Sequence, residues 1–93
     1  MAEPVEVFVE ATPNPNSLKF TLNRIIAERG QSFNSPQEAQ RSPLAAKLYE
    51  VPGVRSLFFL KDFISVGRDP SYDWEEIVPK VMEKIQDHFQ EAG

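Results

Sequence analysis

The sequence predicts an α+β domain: a two-layer sandwich with an antiparallel or mixed sheet of four to five strands and helices on one face. Three observations support this. Two pairs of short runs alternate with the period of two that strands require. Two serine–proline pairs, Ser35-Pro36 and Ser42-Pro43, each open a stretch of helix-forming residues. A terminal segment repeats its apolar residues every three or four positions. The expected order is β-β-(β)-α-β-β-α. It has no repeated βαβ unit, and 93 residues make one domain, 1–93.

The first strand is read from Val5, Val7 and Val9, an aliphatic face, alternating with Glu6, Phe8 and Glu10. The second places Leu18, Phe20 and Leu22 on one face and Ser17, Lys19 and Thr21 on the other. The short stretch between them, Thr12-Pro13-Asn14-Pro15-Asn16, makes an antiparallel hairpin the natural connection. Asn23 to Asn34 carries a weak signal, with Ser32-Phe33 as a short edge strand. Ser35, Pro36 and Glu38 form a capping box, and Ser42-Pro43 opens a second helix whose Leu44, Ala45, Leu48 and Val51 share a face. Pro52-Gly53 ends it.

Val54 to Leu60 reads as a strand, Lys61-Asp62 as a tight turn, and Phe63 to Val66 as the returning strand, a hairpin expected at the centre of the sheet. Gly67 to Ser71 reads as a polar connection. In the last helix Asp73 is the expected cap, and Trp74, Ile77, Val78, Val81, Ile85 and Phe89 line one side. Pro79 removes the hydrogen bond to the Glu75 carbonyl and is expected to kink it. Trp74, Phe58, Phe20 and Phe8 stand at the periodicities of core residues.

Composition excludes several kinds of chemistry. With no cysteine, the chain offers no thiolate ligand, cysteine nucleophile or disulfide. A net charge of −4, without a basic stripe, argues against nucleic acid. His88, the single histidine, lies near a helix end where its charge is favourable, with no catalytic partner in view. No phosphate-binding glycine loop or metal-binding spacing is present, so no catalytic residue, metal or cofactor is expected. The N-terminus lacks the basic and apolar regions of a signal peptide, and no apolar run reaches membrane-spanning length, so a cytoplasmic location is expected.

The connection Thr12-Pro13-Asn14-Pro15-Asn16-Ser17 is unusually stiff. Pro13 and Pro15 fix their own φ and press Thr12 and Asn14 into extended backbone. Such a mount serves either to reduce the freedom of the unfolded chain or to present Asn14 and Asn16 as a binding loop.

The run Thr12 to Phe20, with Ser42-Pro43-Leu44-Ala45, Leu48-Tyr49, Gly53-Val54, Asp62-Phe63-Ile64, Trp74 and Pro79, resembles the N-terminal domain of the Nfu/NifU-like iron–sulfur scaffold proteins. The likeness runs from about Val5 to Phe89. Ser65 to Arg68 departs from the family's more usual threonine- and lysine-bearing strand. The resemblance implies an α+β fold and a non-enzymatic accessory role in iron–sulfur cluster assembly or delivery. Protein partners, such as C-x-x-C scaffolds or carriers, would supply the thiolates. The expected contact surface is the loop face: Asn14, Asn16, Lys19 and the Ser42-Pro43 helix start. On that reading, replacing both asparagines by alanine leaves the fold largely intact. The competing expectation is a small-ligand or peptide-binding module unrelated to iron.

Overall fold

Alternation becomes strand pairing in the computed structural model, which describes residues 5–92. The strands are β1 (Val7–Ala11), β2 (Ser17–Leu22), β3 (Ala27–Phe33), β4 (Val54–Lys61) and β5 (Phe63–Arg68). Between β3 and β4 lie α1 (Pro36–Ala39) and α2 (Pro43–Tyr49), and α3 (Trp74–Ala92) closes the chain. The sheet order is β1-β2-β5-β4-β3, and every pairing is antiparallel. The mixed alternative is therefore not realised, and the β4–β5 hairpin lies inside the sheet as expected, with β5 the middle strand.

Register sorts the sheet residues onto two faces. Val9 stands opposite Phe20, and Phe20 opposite Ile64. Ile64 faces Phe59 on β4. This row belongs to the covered face, where Phe20, Ile64, Val66, Leu57 and Phe59 are buried against Ile77, Val81 and Ile85 of α3 and Leu48 of α2. Removing an apolar side chain of this size from water contributes about 1.5–3 kcal/mol, and it is this packing that holds the short helices.

The helix starts form as the capping rules require. The Ser35 hydroxyl accepts from the Glu38 N–H at 3.2 Å and the Ser42 hydroxyl from the Ala45 N–H at 3.3 Å. The Asp73 carbonyl accepts from the N–H groups of Glu76 and Ile77, which puts Asp73 at the N-cap position of α3. The 19 residues of α3 continue through Pro79.

Four expectations need correction. β3 is a strand of seven residues rather than two. β5 runs on through Arg68, so Gly67 and Arg68 belong to the sheet and not to a connection. Phe8 is 57% exposed and is not core; it stands opposite Thr21 on the uncovered face, where edge strand β1 has no helix above it. Phe58 lies on the same face opposite Ser65, half-buried and outside the core cluster, whereas Trp74 is half-buried but packs against the core as expected.

Tyr49 joins the layers at the sheet edge. Its hydroxyl lies 2.8 Å from the carbonyl oxygens of both Phe33 and Arg55, to which it donates. Burial, and secondarily the negative charge of Glu38, push the phenol above its ordinary 10.0. The folded chain thus favours the protonated phenol. This contribution is fully present below pH 10.0 and is lost as pH rises through the folded value. Tyr49→Phe should cost about 1 kcal/mol at neutral pH. Urea midpoints measured from pH 8 to 11 should fall less steeply for Tyr49→Phe than for the parent chain above pH 10.0.

Candidate functional site

The stiff loop between β1 and β2 is held by a set of local hydrogen bonds. The Ser17 N–H donates to the Asn14 carbonyl at 3.0 Å, closing a turn with Pro15 at its second position. Among the described residues only Lys61 and Gly53 have positive φ, so the turn is type I, which favours proline there. The Asn14 side-chain oxygen accepts from the Asn16 N–H at 2.9 Å, and the Thr12 hydroxyl donates to the carbonyls of Asn14 and Ser17.

Three further bonds tie this turn to distant parts of the chain. The Trp74 indole donates to the Pro15 carbonyl at 3.0 Å. The Arg68 guanidinium donates to the Asn16 side-chain oxygen at 3.3 Å, and the Arg68 backbone N–H donates to the Asn16 carbonyl at 2.9 Å. Arg68 is itself fixed: it donates to the Tyr72 carbonyl at 3.0 Å and lies 5.3 Å from the centre of the Trp74 ring. The asparagine oxygens therefore build the loop. Replacing both residues by alanine removes two of its bonds, so the expectation of a largely unaffected fold is revised to a loss of about 1–2 kcal/mol.

Beside the loop, the uncovered sheet face carries a depression of about 300 Å³. Two adjacent cross-strand rows form it. One runs Ser17–Gly67–Ser56 and the other Ser65–Phe58–Ser32. Asn14, Asn16 and Ser17 reach it from the loop side, while Arg55 and Arg68 line it from β4 and β5. Gly67 is needed for close approach: a Cβ there would run into the Ser56 hydroxyl. The Ser17 and Ser65 hydroxyls are 3.3 Å apart. Hydroxyls, amides and guanidinium groups line the hollow, and none of the lining residues is acidic or a histidine.

Asp69 follows β5. Hydrogen bonds from the Ser71 backbone and side chain, with a smaller contribution from the Arg55 charge, hold its carboxyl below the ordinary range. Arg55 is exposed and makes no salt bridge among the described residues. Among those residues no group of three His, Cys, Asp or Glu side chains could hold a metal ion, and no helix is long and apolar enough to cross a membrane.

The expected contact residues divide between two places. Asn14 and Asn16 line the depression. Lys19 is next to it, opposite Ser65, with its amine 4.7 Å from the Phe63 ring centre. Ser42 and Pro43 instead border a separate hollow with Ile25, Ile26 and Phe89. Sequence reasoning missed the serines and Arg55. The signal was present in parity, because Ser56, Ser65 and Gly67 alternate with the buried Leu57, Ile64 and Val66.

A family described as "Scaffold protein Nfu/NifU N terminal" matches residues 7–92. A human relative named "NFU1 iron-sulfur cluster scaffold homolog, mitochondrial" is 44% identical over 80 residues, covering 84% of this chain and 32% of its own length. A relative of the same name from Drosophila persimilis is 41% identical over 80 residues, again 84% of this chain and 28% of its own length. The chain thus spans about a third of the human relative's length. Among solved structures, Staphylococcus aureus protein SAV1430 superposes with a TM-score of 0.76 at 28% identity, covering 86% of this chain and 98% of that one. A NifU-like protein from Saccharomyces cerevisiae gives 0.82 at 24% identity, over 92% of this chain and 79% of that one, and shows the shared fold.

Proposed function

Because the chain belongs to the Nfu/NifU N-terminal scaffold family, we propose that it is a non-enzymatic accessory domain of iron–sulfur cluster assembly or delivery. In this reading it works through protein partners that carry the cluster-binding thiolates, ligands that these 93 residues do not themselves supply.

One observation carries the proposal: a loop immobilised by bonds to Trp74 and Arg68 beside a polar depression on the sheet face that no helix covers. Rigid loops on a fixed scaffold are suited to recognition, because little freedom is lost on binding. The serines of the depression have no general base in its lining, which favours contact over catalysis.

The isotope-labelled chain, titrated with apo and cluster-loaded C-x-x-C scaffold proteins, should show saturable amide shifts at Asn14, Asn16, Ser65 and Gly67. Shifts confined to Ser42 and α3, or none with any scaffold, would sink the proposal. Saturable shifts from a peptide or small anion alone would favour the competing binding module, for which 300 Å³ is at the small end of ligand sites. A cytosolic location belongs to the same proposal. Cell fractionation tests it, and recovery in mitochondria, where the relatives' names place them, would overturn it.

A further inference from the structure

The chain carries 14 acidic residues against 10 basic ones, yet the depression beside the loop has two arginines and no acid in its lining. The side chains around these arginines add to the same character. Hydroxyls of Ser17, Ser56 and Ser65 and amides of Asn14 and Asn16 can all donate to an oxyanion. Lys19 stands one strand over from Ser65 and contributes a third positive charge nearby. In a protein whose net charge is −4, this is a local reversal of sign.

Arg68 is prepared for such a ligand. Its position is set by Asn16, Tyr72 and Trp74, and these contacts use two of the five N–H donors of a guanidinium group. A cation held in place before binding loses little side-chain freedom on meeting a carboxylate, and guanidinium–carboxylate pairs are charge-assisted. Arg55 is exposed and makes no side-chain hydrogen bond or salt bridge among the described residues; the Asp69 carboxylate feels its charge without pairing with it, so its fork is left for the same ligand.

The dimensions favour a chain segment over a lone ion. About 300 Å³ is larger than one carboxylate fills. The hollow also includes half-buried Phe58, and its face continues to Phe63 and Leu60 through the β4–β5 register. An extended segment laid on the sheet would rest apolar atoms there while placing an acidic group between the arginines.

We propose that the Arg55–Arg68 depression binds an acidic peptide segment of a protein partner, with a glutamate or aspartate carboxylate seated among Ser17, Ser56 and Ser65. The inference rests on the reading of the loop face as the contact surface, and it does not depend on iron.

The test uses the full chain and a fluorescein-labelled peptide of alternating glutamate and glycine, with glutamine replacing glutamate in the control peptide. Fluorescence anisotropy at low ionic strength should rise saturably with the acidic peptide and stay flat with the control. Arg55→Gln should weaken binding about tenfold or more, whereas Lys80→Gln, an equal loss of charge on the exposed side of α3, should change it by less than about twofold. The amides of Ser56, Ser65 and Gly67 should shift. Absence of saturable binding would overturn the proposal, as would equal weakening by the two variants. So would citrate displacing the peptide at a concentration equal to the peptide's own dissociation constant, since a small anion would then be the ligand. A scaffold protein that still shifts Asn14 and Asn16 when the acidic peptide fails would leave the contact surface standing and remove only its acidic ligand.

Discussion

Gly53→Ala is expected to destabilise the chain by about 2–4 kcal/mol and to lower its Tm by about 10–25 °C. Two independent effects add at this position. Gly53 has φ +100, where an L side chain is strained. A Cβ there would also lie 2.8 Å from the Cβ and Cγ of Tyr72 and 2.9 Å from the Cδ1 of Ile77. Neither neighbour can step aside freely. Ile77 is fully buried in α3, and Tyr72 lies in the turn whose carbonyl receives Arg68. The Gly53 carbonyl accepts from the Asp69 N–H at 2.8 Å, so a shift here would also disturb the approach to α3. Thermal melts followed by circular dichroism decide the point, and a Tm within about 3 °C of the parent would contradict the argument.

Phe20→Ala should cost about 3–5 kcal/mol, the range for emptying a buried aromatic site. Phe20 has 0% exposure and sits between Val9 and Ile64 in the middle of the covered face. The strands on either side are fixed by their ladders, so the cavity cannot collapse fully. Phe8→Ala makes the same chemical change on the opposite face, where the side chain is 57% exposed, and should move stability by no more than about 0.5 kcal/mol. Urea unfolding distinguishes them through the midpoint, with the slope unchanged. Equal costs would mean that the two faces of the sheet have been assigned wrongly.

The contrast between these phenylalanines also shows what could be read without coordinates. β2 was legible because Leu18, Phe20 and Leu22 alternate with polar residues, and the same parity held in the sheet. β1 was legible as a strand with one aliphatic face, but Phe8 on the mixed face between Glu6 and Glu10 was large enough to claim the core. Only pairing with β2 decides between them, and Val7 and Val9 stand opposite Leu22 and Phe20. β3 was nearly invisible because its five central residues are exposed and only Ala27 and Phe33 at its ends are buried. Its register also slips between Ala27 and Gln31, which breaks any periodic signal.

The candidate site divided in a similar way. Two prolines within one hairpin connection marked the loop, and local rules predict what they do to the backbone. The depression depends on four strands meeting in one register, which brings Ser17, Gly67 and Ser56 into a row although they are far apart in sequence. No local rule holds that information. Ser42-Pro43 was legible as a helix start and formed one, yet the layer it belongs to is set by α2 packing on α3 and not by the serine.

The anchoring of the loop has a consequence for the order in which this molecule can be assembled. Its ties are among the longest in the chain, spanning 59 positions from Pro15 to Trp74 and 52 from Asn16 to Arg68. The β4–β5 hairpin can close locally, but β2 pairs with β5 only after a large intervening stretch has been brought round. It follows that a chain in which β5 has not yet docked on β2 lacks the bonds from Arg68 to Asn16, and one interrupted before Trp74 lacks the bond to Pro15, so only the local turn bonds hold the loop. The loop thus reaches its full set of ties only in the finished fold, and the contacts that make this surface rigid also report that the domain behind it is assembled.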